Sequence, residues 1–446
     1  MAYSVGFVSL GCAKNLVDSE HMAGVLRAAG LTLARSPEEA DVILVNTCGF
    51  IGDAKEESID AILRACARKE AGLCRAVIVA GCLTQRYRQS LQASLPEVDA
   101  FLGLDQLDEI ARLVRRVERG ERGILSVSGV SRRVFSPSAR RLVLTGGPFA
   151  YLKIAEGCNH RCAFCAIPGI RGRYRSRRIP DIVREAEGLL AAGIRELNLI
   201  SQDTTRYGSD LGGRSDAAAL IRELDRLGGQ FWIRLLYGHP AHLDAALLEA
   251  MAESRHVCRY LDIPIQHSHP DVLRAMRRAG GAKAVGELPA RARAALPGVT
   301  LRTTCLVGFP GETEARFEAL LDFAREAEFD HLGAFVYSRE ENTEAHDLPH
   351  QVPAAVAKRR RARLMRAQQA IVRRRLAARV GQTDEVLLIR PLDAATWLAR
   401  SAGQAPEVDG ATRVTHCPAA TKAGDFLRVH YTAADGYDLV ASARES

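Results

Sequence analysis

Six of the eleven cysteines in this sequence fall into two sets of three. Cys158, Cys162 and Cys165 form C-x3-C-x2-C inside GCNHRCAFC. Three thiolates at this spacing suit a short loop wrapped around a cubane iron–sulfur cluster. A [4Fe–4S] cluster has four irons, and most carriers supply four cysteines. No fourth cysteine follows nearby, so one iron is left open, as in catalytic metal sites that keep a free position. Spacing alone leaves a zinc site open as the alternative, with His160 at hand.

The second set is dispersed. Cys12 ends VGFVSLGC, Cys48 ends DVILVNTC and Cys82 ends AVIVAGC. Each follows a short apolar run that reads as a parallel strand, and the C-terminal edge of an open α/β sheet is its ligand-binding edge. Gly11 and Gly81 precede two of these cysteines and allow a tight turn. A single buried cysteine is more often core than ligand. Three at equivalent positions of successive units point to a second three-thiol site. Cys66, Cys74, Cys258, Cys305 and Cys417 have no such placement and read as structural.

The elements that must position these thiols form three blocks. In the first, apolar strands at residues 5–10, 41–45 and 76–80 alternate with helices at 18–29, 55–71 and from about 85. That pattern predicts a doubly wound parallel sheet. In the second, strands at 151–155, 196–200, 231–235, 261–263, 300–307 and 331–337 alternate with helices, which predicts a partial or full (β/α) barrel with its site at the C-terminal strand ends. The cluster loop follows the first of these strands. In the third, short strands with turn signals at Asp409-Gly410 and Asp435-Gly436 predict a small β-barrel. The expected segments are 1–130, a linker at 131–148, 149–378 and 379–446. Residues 358–379 hold ten basic residues and no acidic one. Leu364, Gln368, Ile371, Val372 and Leu376 give that stretch a helical apolar stripe, which reads as a packed helix with a solvated basic face or as a nucleic-acid footprint.

Composition sets outer bounds. The chain has 446 residues, 47% hydrophobic and 26% charged, an ordinary globular balance that argues against disorder or a coiled-coil rod. No apolar run approaches the roughly 18 residues of a membrane span. The start lacks the layout of a signal peptide. A cytoplasmic protein with reduced thiols is therefore expected. Lys plus Arg number 61 against 53 Asp plus Glu, a net charge of +8 that permits a ribonucleoprotein partner without requiring one.

The central triplet resembles that of the radical S-adenosylmethionine (SAM) superfamily. Phe164 stands before the third cysteine, where that superfamily has an aromatic residue. Gly308-Phe309-Pro310-Gly311-Glu312 follows a late strand, where it lines the adenosine pocket. GCAKNLVDSE, NTCGFI, GCNHRCAFC and VGFPGET, in this order, resemble the methylthiotransferase family across essentially the whole chain. The resemblance implies an N-terminal cluster domain, a radical SAM barrel and a C-terminal TRAM barrel. It implies two [4Fe–4S] clusters, one on Cys158, Cys162 and Cys165, where SAM binds the open iron, and an auxiliary one on Cys12, Cys48 and Cys82.

Within the family, SLGCAKN and GCNHRCAFCAIPGIRGRYRSR are similar to the branch that methylthiolates the β-carbon of an aspartate in small-subunit ribosomal protein twelve. The other branch modifies isopentenyl-adenosine in tRNA. The resemblance also implies an external reductant and a sulfur source. The substrate protein is met either free or in the assembled small subunit. Residues 382–446 carry more acidic than basic residues, with no basic run, which favours a basic protein over tRNA as the partner.

Other pocket residues follow from position. Gln202 and Asp203 end the 196–200 strand and suit ribose hydroxyls, with a turn or capping role as the alternative for Asp203. Arg234 suits the methionyl carboxylate or a structural ion pair. Gln266 and His267 lie near another strand end, and His267 also reads as a packed histidine. Arg171, Arg173, Arg175, Arg177 and Arg178 follow the cluster loop and suit an acidic substrate, a phosphate or solvent.

Overall fold

The structure is a computed structural model that describes residues 3–134, 141–212 and 216–444. Residues 135–140 of the expected linker lie outside the described residues. The chain divides into two compact units, each assembled from separate stretches. The first comprises Met1–Leu144, Ala155–Arg177 and Ser338–His346, and the second Thr145–Ile154, Arg178–Tyr337 and Asp347–Ser446. The central cysteine loop, which sequence order assigns to the barrel block, thus belongs by compactness to the first unit.

The first unit is built on a six-stranded parallel sheet in the order β2-β1-β3-β4-β5-β6. Its strands are β1 (Ser4–Ser9), β2 (Thr32–Leu33), β3 (Val42–Thr47), β4 (Ala76–Gly81), β5 (Ala100–Leu102) and β6 (Ile124–Ser126). Every residue of β3 and β4 is buried. That is why residues 42–45 and 76–80 read as continuous apolar runs rather than alternating ones, while the buried Asn46 and Thr47 that end β3 donate to the Asn15 and Ala80 carbonyls. Helices α1 (Ala13–Ala28) and α4 (Ile110–Glu118) supply Met22, Leu26, Leu113 and Val117 to one core. Helices α2 (Gly52–Glu70) and α3 (Cys82–Ser94) supply Ile62, Ala65 and Leu83 to a second. The sheet is doubly wound, as the sequence predicts. Its strand order reverses between β1 and β3, and such a switch point opens a crevice at the C-terminal strand ends.

The expected strand over 151–155 is divided. It becomes β7 (Phe149–Lys153), which stays in the barrel sheet, and β8 (Ala155–Glu156), which pairs antiparallel with β9 (Arg175–Ser176) instead. The cluster loop and α5 (Ile167–Arg171) are enclosed between β8 and β9.

The second unit carries a parallel sheet in the order β14-β13-β12-β11-β10-β7. Its further strands are β10 (Glu196–Ile200), β11 (Trp232–Leu235), β12 (Val257–Asp262), β13 (Thr300–Val307) and β14 (His331–Val336), separated by α6 (Ile179–Ala191), α7 (Ala217–Asp225), α8 (Ala245–Glu253), α9 (Pro270–Ala275), α10 (Gly281–Ala295) and α11 (Glu314–Ala327). Six sequential strands form an open partial barrel. The long α12 (Ala354–Ala377) buries Leu364, Gln368, Ile371 and Val372. Four of its cations are matched with carboxylates: Arg360 with Glu312 and Glu314, Arg363 with Glu314 and Glu318, Arg374 with Glu328, and Arg375 with Asp330. The packed-helix reading of this stretch is the one the geometry takes.

The C-terminal residues form a closed five-stranded barrel, ordered β15-β16-β17-β19-β18, from β15 (Thr383–Pro391), β16 (Trp397–Ser401), β17 (Thr412–Thr415), β18 (Phe426–Asp435) and β19 (Asp438–Ala443). Asp435-Gly436 makes the expected tight turn, with Gly436 at φ 62°. Asp409-Gly410 does not. It lies in a longer loop, and the buried Asp409 carboxylate accepts from Tyr260 Oη at 2.6 Å and pairs with Arg302 at 3.3 Å. A turn dipeptide is here diverted to dock the small barrel on β12 and β13.

Docking is concentrated at the N-terminal part of the parallel strands. Glu196, first in β10, pairs with Arg234 of β11 at 2.8 Å and with Arg400 of β16. Arg234 also donates to the Ala402 carbonyl at 2.7 Å. The small barrel closes the end of the sheet opposite to the one where a barrel site belongs.

Candidate functional site

In the first unit the three dispersed cysteines converge. Cys12 caps the N-terminus of α1, Cys82 opens α3, and Cys48 follows β3 at the switch point. A Cβ built on Gly11 would sit 2.8 Å from Cys48 Cβ, and Gly11 has φ +87°. At Gly81, with φ +101°, it would sit 2.4 Å from Asn46 Oδ1. Both turns are therefore glycine-only positions, and both bring a cysteine into the crevice. The Asn15 side-chain amide donates to the Leu10 carbonyl at 2.8 Å and to the Thr47 carbonyl at 3.1 Å, tying the ends of β1 and β3 together.

The charge environment differs among the thiols. Burial pushes Cys82 up to about 12, and burial also raises Cys48. Desolvation opposes the Cys12 thiolate, but Lys14 and then Arg171 outweigh it and hold Cys12 below its usual value. The N-termini of α1 and α3 add partial positive charge at Cys12 and Cys82. Three thiols with a cation and helix dipoles aimed at them form a donor set suited to a metal cluster carrying negative charge. Cys66, Cys74, Cys258, Cys305 and Cys417 are all buried, away from any such convergence.

The central cysteines sit in the enclosed loop of the same unit. The Cys158 amide donates to the Gly172 carbonyl at 3.0 Å, and the Cys165 amide to the Cys162 carbonyl at 3.0 Å. The His160 amide donates to Cys158 Sγ at 3.4 Å, so its backbone faces this site. Cys158, Cys162 and Cys165 line one cavity of about 670 Å³, together with Arg86, His160, Arg173 and Glu341. Phe164 is half-buried in the loop between them. Across the loop, Ala166 and Ile170 pack with Cys82 and Leu104, so the two cysteine sets adjoin in one body. Residues 338–346 hold the loop from its other side. Glu340 accepts from Lys55 and Arg86, both at 2.9 Å, and the Ala345 amide donates to the Ala163 carbonyl at 2.8 Å.

The remaining candidates belong to the second unit. Gln202, half-buried just beyond β10, has an amide group whose Oε1 and Nε2 find no hydrogen-bond partner among the described residues. A shielded, unpaired amide is costly unless a ligand completes it, which suits adenosine hydroxyls. Asp203 is buried and accepts from Thr205 Oγ1 and pairs with His242 Nδ1, each at 2.7 Å, so it takes a turn-organising position. Gly308 and Gly311 adopt φ +77° and +81° beyond β13, and the Gly308 amide donates to Glu312 at 2.9 Å. Gln266 has φ 69° and bridges to Cys305, while His267 is buried 3.6 Å from Glu312 as a packed histidine. Arg234 is fully buried in the Glu196 pair, the structural alternative given above.

Asn15, Asp18 and Glu340 were missed by sequence reasoning. Asn15 and Asp18 stand three and six residues beyond Cys12, one turn apart on the helix face that follows the thiol, a periodicity that could have flagged them. Glu340 has no local signal.

Three family models match in chain order. They are uncharacterized protein family UPF0004 over residues 4–103, the radical SAM superfamily over 152–324 and the TRAM domain over 380–443. A protein from Pelotomaculum thermopropionicum is 48% identical over 443 residues, covering 98% of this chain and 99% of that one. One from Syntrophus aciditrophicus is 46% identical over 447 residues, covering 99% of each. Both are ribosomal protein uS12 methylthiotransferases RimO. Among solved structures, the radical SAM methyltransferase TsrM from Kitasatospora setae, with cobalamin and a [4Fe–4S] cluster bound, superposes with TM-score 0.58 at 15% identity over 77% of this chain and 74% of that one. The cobalamin-dependent radical enzyme OxsB gives TM-score 0.53 at 12% identity, over 77% of this chain and 54% of that one. At such identities the likeness is one of fold. Fold and site together define a radical SAM enzyme with an iron–sulfur centre and SAM as cofactors. The full-length relatives narrow this further: the chain belongs to the RimO methylthiotransferase family. No helix among the described residues is long and apolar enough to cross a membrane.

Proposed function

We propose that this chain methylthiolates the β-carbon of an aspartate in ribosomal protein uS12, in the cytoplasm, using two [4Fe–4S] clusters and SAM. The observation that carries the reading is the pair of adjoining three-thiol sets in one compact unit. Each set stops one ligand short of closing a four-iron cluster. When bound, the clusters and SAM supply the electron, the radical and the methylthio group that replace a C–H bond too weakly acidic for an ordinary base.

The chain's own part is holding and shielding. Cys158, Cys162 and Cys165 hold the radical-generating cluster; Cys12, Cys48 and Cys82 hold the auxiliary one. Phe164 covers the first, the unpaired Gln202 amide receives the ribose, Asp203 fixes the turn beside it, and the Gly308 and Gly311 backbone admits the adenosine. The packing of Ala166 and Ile170 on Cys82 keeps the sulfur donor near the radical source, the proximity such a transfer needs. Arg234 acts at the opposite strand ends as a structural cation. An external reductant and a sulfur source complete the reaction.

The test is an anaerobic assay of the reconstituted protein with SAM, sulfide and reductant. Ribosomal protein uS12, the assembled small subunit and tRNA are offered separately and read by mass spectrometry. One methylthio group on a uS12 aspartate, with tRNA unchanged, is expected. Modified tRNA with untouched protein would overturn the substrate assignment and leave the chemistry.

A further inference from the structure

Among the arginines after the cluster loop, Arg171 is set apart by burial and by its contacts. It ends α5, is only 3% exposed, and lies within the first unit. Nη1 donates to Glu156 at 3.0 and 3.2 Å. Nη2 donates to Asp18 Oδ2 at 2.8 Å, to Asn15 Oδ1 at 3.4 Å and to Cys82 Sγ at 3.4 Å. Its partners thus come from two places. Glu156 borders the central cysteine loop, whereas Asn15, Asp18 and Cys82 border the strand-end thiols. A structural ion pair needs one carboxylate. Arg171 has two, both buried, and still directs an N–H at a thiol sulfur. Its own chain position is six residues beyond Cys165.

We propose that Arg171 is a positioning residue that holds the strand-end thiol site in register with the central cysteine loop and sets the charge felt by the auxiliary cluster. The proposal rests on the two-cluster reading. Its physical basis is that hydrogen bonds to cluster sulfurs and nearby charge set the reduction potential. A cation beside the sulfur favours the reduced, more negative state. The carboxylates behind it moderate that effect, Asp18 most directly because it shares Nη2.

The experiment uses the full chain with Cys158, Cys162 and Cys165 all replaced by Ala, so that only Cys12, Cys48 and Cys82 remain to bind a cluster. After anaerobic reconstitution, iron per chain, the electron paramagnetic resonance spectrum of the reduced form and the midpoint potential are measured. Arg171→Met with Glu156→Gln removes the cation at the sulfur without stranding Glu156. It is expected to lower the midpoint by about 59 mV or more, a tenfold change in the ratio of reduced to oxidised cluster. Asp18→Asn, a near-isosteric change that keeps the fold if the first variant does not, is expected to raise it. Opposite signs are the signature of an electrostatic role; a merely structural arginine would change iron content or melting temperature and leave the midpoint in place. Full iron with an unmoved midpoint in both variants overturns the role of Arg171 alone. If the background chain takes up no iron at Cys12, Cys48 and Cys82, the two-cluster reading fails and this proposal fails with it.

Discussion

Two regions of this protein bury arginines against carboxylates, with opposite consequences. At the base of the second unit, Glu196 is saturated by Arg234 and Arg400, and Arg234 stacks over the Tyr260 ring at 4.6 Å and donates to Ala402. The interactions there join one protein element to another. In the first unit, Arg171 is held just as firmly, yet it points at a thiol, and the three thiols beside it range from exposed to buried. A buried network that ties one protein element to another specifies a docking geometry. One that ends on a thiol at the ligand-binding edge of a sheet is prepared for a ligand.

The strongest test of that contrast separates the two thiol sets. Cys158→Ala is expected to abolish both SAM cleavage and methylthio transfer, since the electron enters there. Cys12→Ala is expected to abolish transfer while SAM cleavage persists. Both are read by separating the nucleoside product from the modified protein. Equal loss of cleavage in the two variants would break the division of labour.

Next in size is the docking pair. Glu196→Ala strands two buried arginines and is expected to cost about 3–5 kcal/mol in denaturant unfolding. The same group has a pH signature. Burial opposes its ionisation, but Arg400 and then Arg234 outweigh burial and hold the Glu196 carboxyl below the usual carboxylate value. Its contribution is therefore complete above the unfolded value of about 4.3 and is lost as pH falls through the lower folded value. Glu196→Gln should flatten that part of the acid-unfolding curve.

Gly81→Ala tests the thiol crevice through its backbone. A left-handed φ and a contact at 2.4 Å should cost about 1–3 kcal/mol and lower the iron retained at the strand-end site. A variant that kept full iron would show that the turn does not position Cys82. The smallest effect is expected at Gln202→Ala. Loss of its hydrogen bonds should weaken SAM binding about tenfold, near 1.4 kcal/mol, with the unfolding midpoint unmoved. Calorimetric titration checks it.

Much of this was legible before any coordinates. Buried parallel strands are mostly apolar, so residues 41–45 and 76–80 declared the doubly wound sheet, and the cysteines that follow them declared its ligand edge. The strand over 151–155 was misjudged because apolar character does not reveal which partner a strand pairs with. Asp409-Gly410 was read as a hairpin because turn chemistry is local, whereas its carboxylate is engaged by Tyr260 and Arg302 far away in sequence. For Arg234 the sequence left open a ligand contact and an ion pair, and only the placement of Glu196 beside it decides between them.

The sequence by itself determined the thiol chemistry and the succession of elements, because ligand type, spacing and burial period are properties of short segments. Only the tertiary structure decided that the central cysteine loop belongs to the same compact unit as the strand-end thiols. Only it placed a single arginine between the two. Both depend on contacts between segments far apart in sequence, as Arg171 is from Cys82 and from Asp18, and no periodicity encodes those.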